Sequence, residues 1–538
     1  MNRKLKGLGL ILVILFYATG CVSNALTVSY KGSVSPNVYG LQQAKTGEER
    51  YEILLRTHKE AVQKGLMVDY RGIDTINLTI PKGAESIPLG PINDFNGAVF
   101  NVTNQNQDVY LFSYVNKAEP IDVPAHLIDK GLFLEIPRLN SGKKLLVIED
   151  QNPWVENRKG YSYGHIRRDI LLLKHGKAQN QTIMPYDNPQ SLPKCKVYDL
   201  DIPYLKIENL ILNRNDNSSY KTFLCNIVGT NNVQINNVTI NTPQSDMVED
   251  MAIKIVDCTN VSLNDVTING TYSRSDYSGY GICMNNIWNF KVKELEVEAN
   301  WGVFGDNNIN VVSIENSKIN RFDIHCYGRD VYFKNVLFFQ FYNQFSSVFG
   351  SIEFDNCVFD DFTPIVYEYN YNTYNSHNVI FKNCAHNLSA RRCYLINAGI
   401  LSEEKNYRKE LTVKYWPKLT INNMLVNVPV DVKDYCIYYA QKQGDNKAIV
   451  DYVSDIKIDR MDFKYVYGAE LINMYLTNKE VFSKNPISVD IKNLNILTEE
   501  VENKHNSSIG NLIINIKGSN KSNKLIIVKS RMNNEPSL

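Results

Sequence analysis

Apolar and polar positions alternate along much of the chain, and the alternation is arranged around a recurring Asn. The pattern is apolar, any, apolar, any, Asn, small or apolar, any, apolar. One copy of this pattern reads Val331, Phe333, Asn335, Val336 and Phe338. Between residues 206 and 424 the Asn slot falls at Asn209, Asn237, Asp265, Glu294, Asn316, Asn335, Asn356, Asn383 and Asn423. Internal repeats of this length indicate a repeat protein.

The length of the repeat predicts the architecture. Two alternating strands joined at a two-residue bend, with a third strand and loops, need about twenty or more residues per coil. The step from Asn316 to Asn335 is 19 residues. Asn suits the bend because it tolerates left-handed backbone angles and can hydrogen-bond neighbouring coils. The sequence therefore predicts an all-β solenoid of parallel strands that buries every second side chain.

The first twenty residues form a separate element. A basic head precedes the apolar run Leu8 to Phe16, which is too short to cross a bilayer and is typical of a signal peptide (residues 1–20). Ala18, Thr19, Gly20 and Cys21 resemble a bacterial lipobox, which implies cleavage before Cys21 and lipidation of its thiol. An ordinary signal peptide with an incidental Cys is the alternative. Because no acidic run follows Cys21, we expect an outer-membrane lipoprotein of the cell envelope that faces the periplasm rather than the cell surface.

The rest of the chain divides by pattern. After a linker (residues 21–45), Thr46 to Gly65 has helical periodicity, with a capping box at Thr46 and Glu49. Its apolar face contains Tyr51, Leu54, Leu55, His58 and Val62. A solenoid needs its open end covered, so residues 46–92 are expected to form a cap of helix and first strands. We interpret residues 93–205 as either irregular early coils or a small β module, residues 206–430 as regular coils, residues 431–532 as looser coils and residues 533–538 as a tail.

Composition limits the partners. A formal net charge of +1 lacks the basic excess that nucleic-acid binding requires, so a nucleic-acid partner is excluded and membrane contact is expected through the lipid anchor only. Besides Cys21, the cysteines form no CxxC pair. Cys357 and Cys384 occupy the same slot of successive repeats, which favours an interior ladder of small apolar groups over a disulfide or metal role.

Two neighbouring repeats align without a gap and predict where a site lies. The 19-residue step superposes Asp306 on His325 and Phe304 on Asp323. Side chains of a strand alternate, so Phe322 and Ile324 point inward, and the outward side carries the set Arg321, Asp323 and His325. Asp306 would then lie about 5 Å from His325 at the backbone.

This set suits two reactions on a polysaccharide. Glycoside hydrolysis needs a proton donor and a second carboxylate, which Asp306 and Asp323 could supply. Elimination in a uronic-acid polymer needs a base and a cation that neutralises the carboxylate. His325 or Tyr327 could be that base, with Arg321 and Arg329 as cations. The residues do not choose between these reactions, and a solvated ladder of paired charges is the structural alternative.

Ligand contacts are predicted around the set. Phe304 lies one coil before Asp323, Tyr327 and Arg329 lie at the strand exit, and Tyr277 lies in a long loop between coils. Trp154 and Arg158 belong to a cluster of aromatic and basic residues that suits stacking on a sugar and pairing with carboxylate or sulfate, or that simply packs a junction.

One acidic loop suggests a metal. Asp246, Glu249 and Asp250 offer the oxygen ligands that Ca²⁺ prefers, although an exposed acidic loop is the commoner outcome. No other cofactor is indicated.

These features resemble a known family. The cover helix, the repeated Asn bend and the long loops are similar to the pectate-lyase-like right-handed parallel β-helix superfamily, which includes polysaccharide lyases, polygalacturonase-type hydrolases and phage tailspike proteins. A narrower resemblance to pectate-lyase-superfamily proteins of gut bacteria and their prophages rests on Trp301, Gly302, Val303, Gly305, Asn307, Arg321, Phe322, Asp323 and His325. The resemblance implies a right-handed parallel β-helix with an N-terminal capping helix, a polysaccharide or cell-surface glycan as partner, and a homotrimer if the tailspike likeness extends that far.

The sequence departs from one branch of this superfamily. The polygalacturonase pattern of Asn-Thr-Asp and His-Gly is not reproduced, because Thr242 is followed by Pro243 and His325 by Cys326. Glycan degradation is thus the leading hypothesis without a chosen bond, and a non-catalytic glycan-binding or adhesive protein is its competitor.

Overall fold

The computed structural model describes the greater part of the chain between residues 32 and 527. The described ranges are 32–124, 135–155, 165–181, 193–202, 204–216, 220–242, 250–270, 279–297, 302–305, 308–325, 327–339, 342–346, 348–367, 376–388, 392–400, 413–415, 418–427, 434–442, 449–451, 455–464, 469–476, 488–492, 494–497, 512–517 and 526–527. No helix within these ranges has both the length and the apolar character needed to cross a membrane. The predicted signal peptide and Cys21 lie outside them.

Strands dominate the described residues. In chain order the first elements are β1 (Ser33–Val34), helix α1 (Gly47–Lys64), β2 (Met67–Val68), β3 (Thr75–Thr79), β4 (Ile87–Pro88), β5 (Ile92–Asn104), β6 (Val109–Val115), β7 (Ala118–Ile121), β8 (Lys143–Val155), β9 (His165–Lys174), β10 (Lys177–Ala178), β11 (Lys194–Asp199), β12 (Leu205–Asp216), β13 (Thr222–Asn241), β14 (Asp250–Asn269), β15 (Gly279–Val297), β16 (Val303–Gly305), β17 (Ile309–Ile319) and β18 (Phe322–Ile324). They are followed by β19 (Gly328–Phe339), β20 (Asn343–Phe345), β21 (Val348–Asp355), β22 (Val358–Asp360), β23 (Ile365–Tyr367), β24 (Ser376–Asn387), β25 (Arg392–Ile400), β26 (Val413–Tyr415), β27 (Lys418–Asn427), β28 (Asp434–Lys442), β29 (Ile449–Asp451), β30 (Asp455–Lys464), β31 (Ala469–Leu476), β32 (Ser488–Ile491), β33 (Leu494–Leu497), β34 (Leu512–Lys517) and β35 (Ile526–Ile527). Short 3-10 turns lie at Pro36–Tyr39, Leu41–Gln43 and Pro137–Leu139.

The long sheet confirms the predicted fold class. Twenty-six strands pair in parallel as one sheet that coils on itself, and the chain is a right-handed parallel β-helix. Each coil pairs in register with the next: Ile253 lies between Cys225 of the preceding coil and Ile282 of the following one. The last coils continue this pairing, with Met461 opposite Leu494 and Val489 opposite Ile527.

The predicted bend slots adopt the predicted conformation. All nine have positive φ, from 51° at Asn316 to 74° at Asn423. Their amides also stack from coil to coil: Asn335 Nδ2 donates to Asn316 Oδ1 and Asn356 Nδ2 donates to Asn335 Oδ1, both at 2.8 Å. The side chain thus satisfies a neighbour while the backbone turns, which is why Asn recurs there.

The interior of the coils is an apolar ladder. Successive inward positions stack like on like, as in Phe333, Phe354 and Phe381, whose ring centroids are 5.0 and 5.1 Å apart. Cys357 and Cys384 are buried free thiols in the same ladder, as the repeat pattern predicts. Among the described side chains, the core therefore extends along the coil axis from Val34 to Phe463.

Helix α1 covers the first coil. Thr46 and Glu49 form the predicted capping box, and Gly65 ends the helix in the left-handed conformation. The predicted apolar face is buried at Tyr51, Leu54, Leu55 and His58. The prediction for Val62 is wrong, because its side chain is 45% exposed and Ala61 takes the buried position.

Residues 93–205 contain both coil strands and a separate sheet. Strands β5 and β6 belong to the long sheet, whereas β7 to β11 form a five-stranded antiparallel sheet in the order β10-β9-β8-β11-β7. We call these five strands the side sheet. One apolar face of the side sheet packs on the coils, where Leu145, Val147, Ile170 and Tyr198 meet Val228 and Trp288.

Candidate functional site

Strand β18 places the candidate residues. Phe322 and Ile324 are fully buried in the apolar core, so the side chain of Asp323 leaves the opposite side of the strand, as alternation predicts. The register also agrees with the ungapped alignment, since Phe304 pairs with Asp323. Gln344 pairs with Asp323 on the following coil. These residues therefore form one row along the outward side of successive coils.

The carboxylate of Asp323 is the centre of the cluster. Its Oδ1 accepts from Arg321 Nε and also lies 2.7 Å from Arg321 Nη2. Its Oδ2 accepts from the Tyr280 hydroxyl at 2.7 Å and lies 3.5 Å from His325 Nε2. Both oxygens are thus bonded to donors.

Charge pairing keeps this carboxylate ionised. Burial by itself would raise the pKa of Asp323, but the charge of Arg321 and the hydrogen bond from His325 outweigh it, and the pKa lies below its ordinary value. Asp323 is therefore an anion at neutral pH that holds its neighbours in place.

Arg321 is held on three sides. Its guanidinium donates to Gln344 Oε1 at 2.6 Å and lies 4.5 Å from the centre of the Tyr342 ring. Burial would lower the pKa of Arg321, but Asp323, with Tyr280 and Tyr342, raises it. The guanidinium is a permanent cation that compensates the buried carboxylate.

Tyr280 is a member of this cluster that the repeat pattern does not locate. It lies at the start of β15, and its hydroxyl reaches Asp323 across the coil that contains Gly302. A Cβ at Gly302 would lie 2.2 Å from the Arg321 carbonyl oxygen, so that coil carries no side chain there. The Tyr280 ring meets the His325 ring edge-on at 6.4 Å between centroids.

The structure shows how exposed the predicted set is. The sequence predicts that Arg321, Asp323 and His325 share the outward face of the strand. They do share the side away from the core, but Arg321 is 1% exposed, Asp323 0% and His325 9%. Neighbouring coils cover the two charges, because Tyr280, Tyr342 and Gln344 fold over them. His325 is the most exposed of the three.

Two predicted ligand contacts have protein partners. Tyr327 is fully buried, and its hydroxyl accepts from the Arg168 amide and donates to the Arg168 carbonyl on β9. Arg329 is half-buried and pairs with Asp330 at 3.0 Å. The Tyr327 hydroxyl therefore joins the coils to the side sheet in the described structure.

Several predicted residues lie outside the description. Asp306, Tyr277, Arg158, Asp246 and Glu249 fall outside the described residues, and the side chains of Phe304, Trp154 and Asp250 do as well, although their backbones lie in β16, β8 and β14. Among the described residues, no group of three His, Cys, Asp or Glu side chains could hold a metal ion. The separation of Asp306 from Asp323 or His325 therefore stays a prediction.

The fold is similar to that of several phage tailspikes. The Gp54 tailspike of Acinetobacter baumannii bacteriophage AP22, solved in complex with A. baumannii capsular saccharide, is 11% identical with a TM-score of 0.48 over 87% of this chain and 76% of the tailspike. Tailspike gp49 of Pseudomonas phage LKA1 is 9% identical with a TM-score of 0.46 over 85% of this chain and 82% of its own. Tailspike gp61 of Pseudomonas phage phi297 is 12% identical with a TM-score of 0.35, covering 82% of both chains. No family model and no curated protein matches the sequence. These likenesses concern the course of the backbone.

Proposed function

We propose that this chain is a polysaccharide-active protein that binds a glycan along the outward side of its coils and cleaves it at the Asp323 cluster. The observation that carries the proposal is a buried, ionised Asp323 that holds Tyr280 and His325 by one oxygen and Arg321 by the other. Burying a charged pair is costly, and such clusters concentrate at functional sites. Outward positions that recur at the same place on successive coils form a straight row, which suits the binding of a linear polymer.

The geometry supports proton transfer by His325 and Tyr280 better than two-carboxylate hydrolysis. A hydrolytic general acid needs a raised pKa, whereas the pKa of Asp323 is lowered. A nucleophile needs a free oxygen, whereas both Asp323 oxygens accept from neighbours. The anion instead orients His325 and the Tyr280 hydroxyl. The neutral ring of His325 can take the proton beside the carboxylate of a bound uronic sugar, and the Tyr280 hydroxyl can give its proton to the glycosidic oxygen that departs as the C–O bond breaks. β-Elimination in an acidic glycan is the reaction that this assignment favours.

Product chemistry tests the proposal. The purified mature chain would be incubated with a panel of acidic and neutral polysaccharides, and both new reducing ends and the ultraviolet absorbance of unsaturated uronides would be followed. We expect both signals from an acidic polymer. New ends without unsaturation would replace elimination by hydrolysis, and no new ends from any polymer would remove the claim of catalysis.

A non-catalytic glycan-binding protein is the second candidate. The observation that favours it is that Arg321 and Asp323 are buried and bonded to one another, as in an ion pair with a purely structural role. Retention on an immobilised glycan without any cleavage would support it. Cleavage in the polysaccharide incubation would thus indicate an enzyme, and retention without cleavage would indicate a binding protein.

Envelope attachment is a further part of the proposal. We expect Cys21 to carry a lipid that holds the chain at the outer membrane, in keeping with the lipobox-like Ala18 to Cys21. Expression of wild type and Cys21→Ser followed by membrane fractionation tests this, because the serine variant should leave the membrane pellet. Equal membrane recovery of both would contradict lipid attachment. Light scattering of the purified chain would separate a trimer from a monomer.

A further inference from the structure

One polar attachment of the side sheet lies on the coil three before the one that carries Tyr327. Tyr198 on β11 donates its hydroxyl to Asp257 Oδ2 at 2.7 Å, and Lys196 Nζ lies 2.7 Å from the same oxygen. Asp257 is buried in a coil bend with positive φ, and its other oxygen accepts from Asn286 on the next coil at 2.8 Å. This part of the side sheet is therefore fixed to the bend of the β14 coil.

The other attachment lies beside the candidate site. Tyr327 lies two residues after His325, and its hydroxyl accepts from the amide of Arg168 on β9 and donates to the carbonyl of the same residue. The Arg168 guanidinium donates from Nη1 to Asn285 Oδ1 at 3.1 Å, and its Nε lies 3.1 Å from Glu149 Oε1. One residue of the side sheet thus contacts two coils at once.

Strand register places Asn285 in the same row as His325. Asn285 follows Met284, which pairs with Gly305, and Gly305 pairs with Ile324, the residue before His325. Asn285 and His325 are therefore two coils apart, about 10 Å at two strand spacings. Since Arg168 bonds to Asn285 and to Tyr327, β9 lies alongside the stretch of coil face that leads to His325.

Side chains hydrogen-bond to the backbone groups along the edge of β9 that faces away from β8, as far as Arg168. The Leu172 amide donates to Asn180 Oδ1 at 2.9 Å, and the Ile170 carbonyl accepts from Asn180 Nδ2 at 2.7 Å. The next residue on that edge is Arg168, whose amide and carbonyl are bonded to Tyr327. Edge groups left unbonded recruit other strands, so this closure makes β9 a defined border.

We propose that the side sheet forms one wall of the glycan-binding groove, with β9 at Arg168 as its border and the coil face at His325, the most exposed residue of the cluster, as its floor. The proposal rests on the proposed function and specifies how the glycan is held: one extended chain runs along the coil face against β9, not across an open strand face. Tyr327 is then a positioning residue, since it acts on the glycan through Arg168.

Two matched hydroxyl deletions test this wall. Tyr327→Phe and Tyr198→Phe each remove one phenol hydroxyl that joins the side sheet to the coils. The first loses the two bonds to Arg168 beside His325, and the second loses the bond to Asp257, three coils earlier. Binding of the cleaved or retained acidic polysaccharide would be measured by calorimetry, and KM and kcat would be measured separately. We expect Tyr327→Phe to weaken binding at least about fivefold with kcat changed less than KM, and Tyr198→Phe to change binding less than about twofold.

The outcomes separate this inference from the proposed function. Glycan binding by wild type with equal affinity in Tyr327→Phe would overturn the wall while leaving the proposed function standing. Absence of binding by wild type to every glycan would overturn the proposed function, and the wall with it. If Tyr327→Phe does not fold, Asn285→Ala replaces it, because it removes the acceptor of the Arg168 guanidinium and leaves the Tyr327 bonds intact. Unchanged affinity in that variant would also overturn the wall.

Discussion

Two kinds of buried histidine occur in this molecule, and they have different partners. His386, inside a coil, bonds through Nδ1 to the Tyr435 hydroxyl at 2.9 Å and through Nε2 to the Phe362 carbonyl at 2.8 Å. His58, in the cap, bonds to the Pro88 carbonyl and the Tyr70 hydroxyl. Both rings are fully buried and bond to neutral groups. His325 is 9% exposed and instead faces a carboxylate that is paired with a guanidinium.

The two arrangements suit different roles. Burial among neutral groups lowers the pKa of His58 and of His386 to about 4, so both rings are uncharged bridges that hold packed elements together. The ionised carboxylate of Asp323 lies 3.5 Å from His325 Nε2 and fixes the orientation of the ring. Stability alone needs only the first arrangement, since a buried ion pair is seldom more stable than apolar packing.

Removing each histidine ring in turn should give the largest difference between the two kinds of site. His325→Ala should reduce turnover about 10²- to 10⁴-fold, the usual contribution of a general acid or base, with a small change in melting temperature. His386→Ala should leave turnover per folded molecule unchanged and cost about 2–5 kcal/mol as a large-to-small core substitution. Steady-state rates and thermal melts of both variants measure this. Full activity of His325→Ala would refute the assignment.

Of the contacts in the cluster, the ion pair between Arg321 and Asp323 should have the largest effect on the free energy of unfolding when it is broken. Arg321→Met leaves Asp323 buried without a counter-charge, and we expect a loss of about 3–5 kcal/mol. Adding Asp323→Asn to Arg321→Met should recover part of that loss. The control is Arg71→Met, which removes an arginine paired with Asp69 at the same spacing but exposed to solvent, and no measurable change is expected. Denaturant unfolding of wild type and the three variants decides, and a double variant no more stable than Arg321→Met would argue against a coupled pair.

Acid should act on the neutral histidines before it acts on the ion pair. As the pH falls below 6.5 the unfolded state protonates His58 and His386, whereas the folded state does so only near 4. Each should cost about 3 kcal/mol across that interval. The pKa of Asp323 is below its ordinary 3.8, so its contribution persists through the interval and is lost only at lower pH. Unfolding free energies of wild type and His386→Gln between pH 7 and 4 test the assignment, and parallel curves for the two proteins would contradict it.

The smallest expected contrast concerns two phenols. Tyr280→Phe removes a hydrogen bond to the charged Asp323 and should cost about 1.5–3 kcal/mol, whereas Tyr435→Phe removes a bond to neutral His386 and should cost about 0.5–1.5 kcal/mol. Tyr280→Phe should also lower turnover, and Tyr435→Phe should not. Denaturation midpoints and rates of both proteins provide the measurement. Equal costs with equal activity would mean that the two environments do not differ as described.

Much of the fold follows from the sequence because the repeat is local. The bend slots, the inward direction of Phe322 and Ile324 and the pairing of Phe304 with Asp323 all depend on alternation and on one alignment. Neither needs knowledge of distant residues. The capping helix is equally local, since Thr46, Glu49 and Gly65 specify its ends.

The candidate site was less accessible to sequence reasoning, for a physical reason. Alternation gives the direction of the Asp323 side chain but not what lies above it, and Tyr280 reaches it from 43 residues away. Tyr327 meets Arg168, 159 residues away, on a sheet that carries no repeat.

The bend ladder makes the same amide contact at very different chain separations. Asn335 bonds to Asn316 across 19 residues at 2.8 Å, and Asn423 bonds to Asn383 across 40 residues at 3.0 Å. The segment between two bend asparagines can therefore double in length while the contact between neighbouring coils stays the same. Such a ladder tolerates exchange of whole loops, so segments from other coils could be grafted between bends to give new specificities on one scaffold.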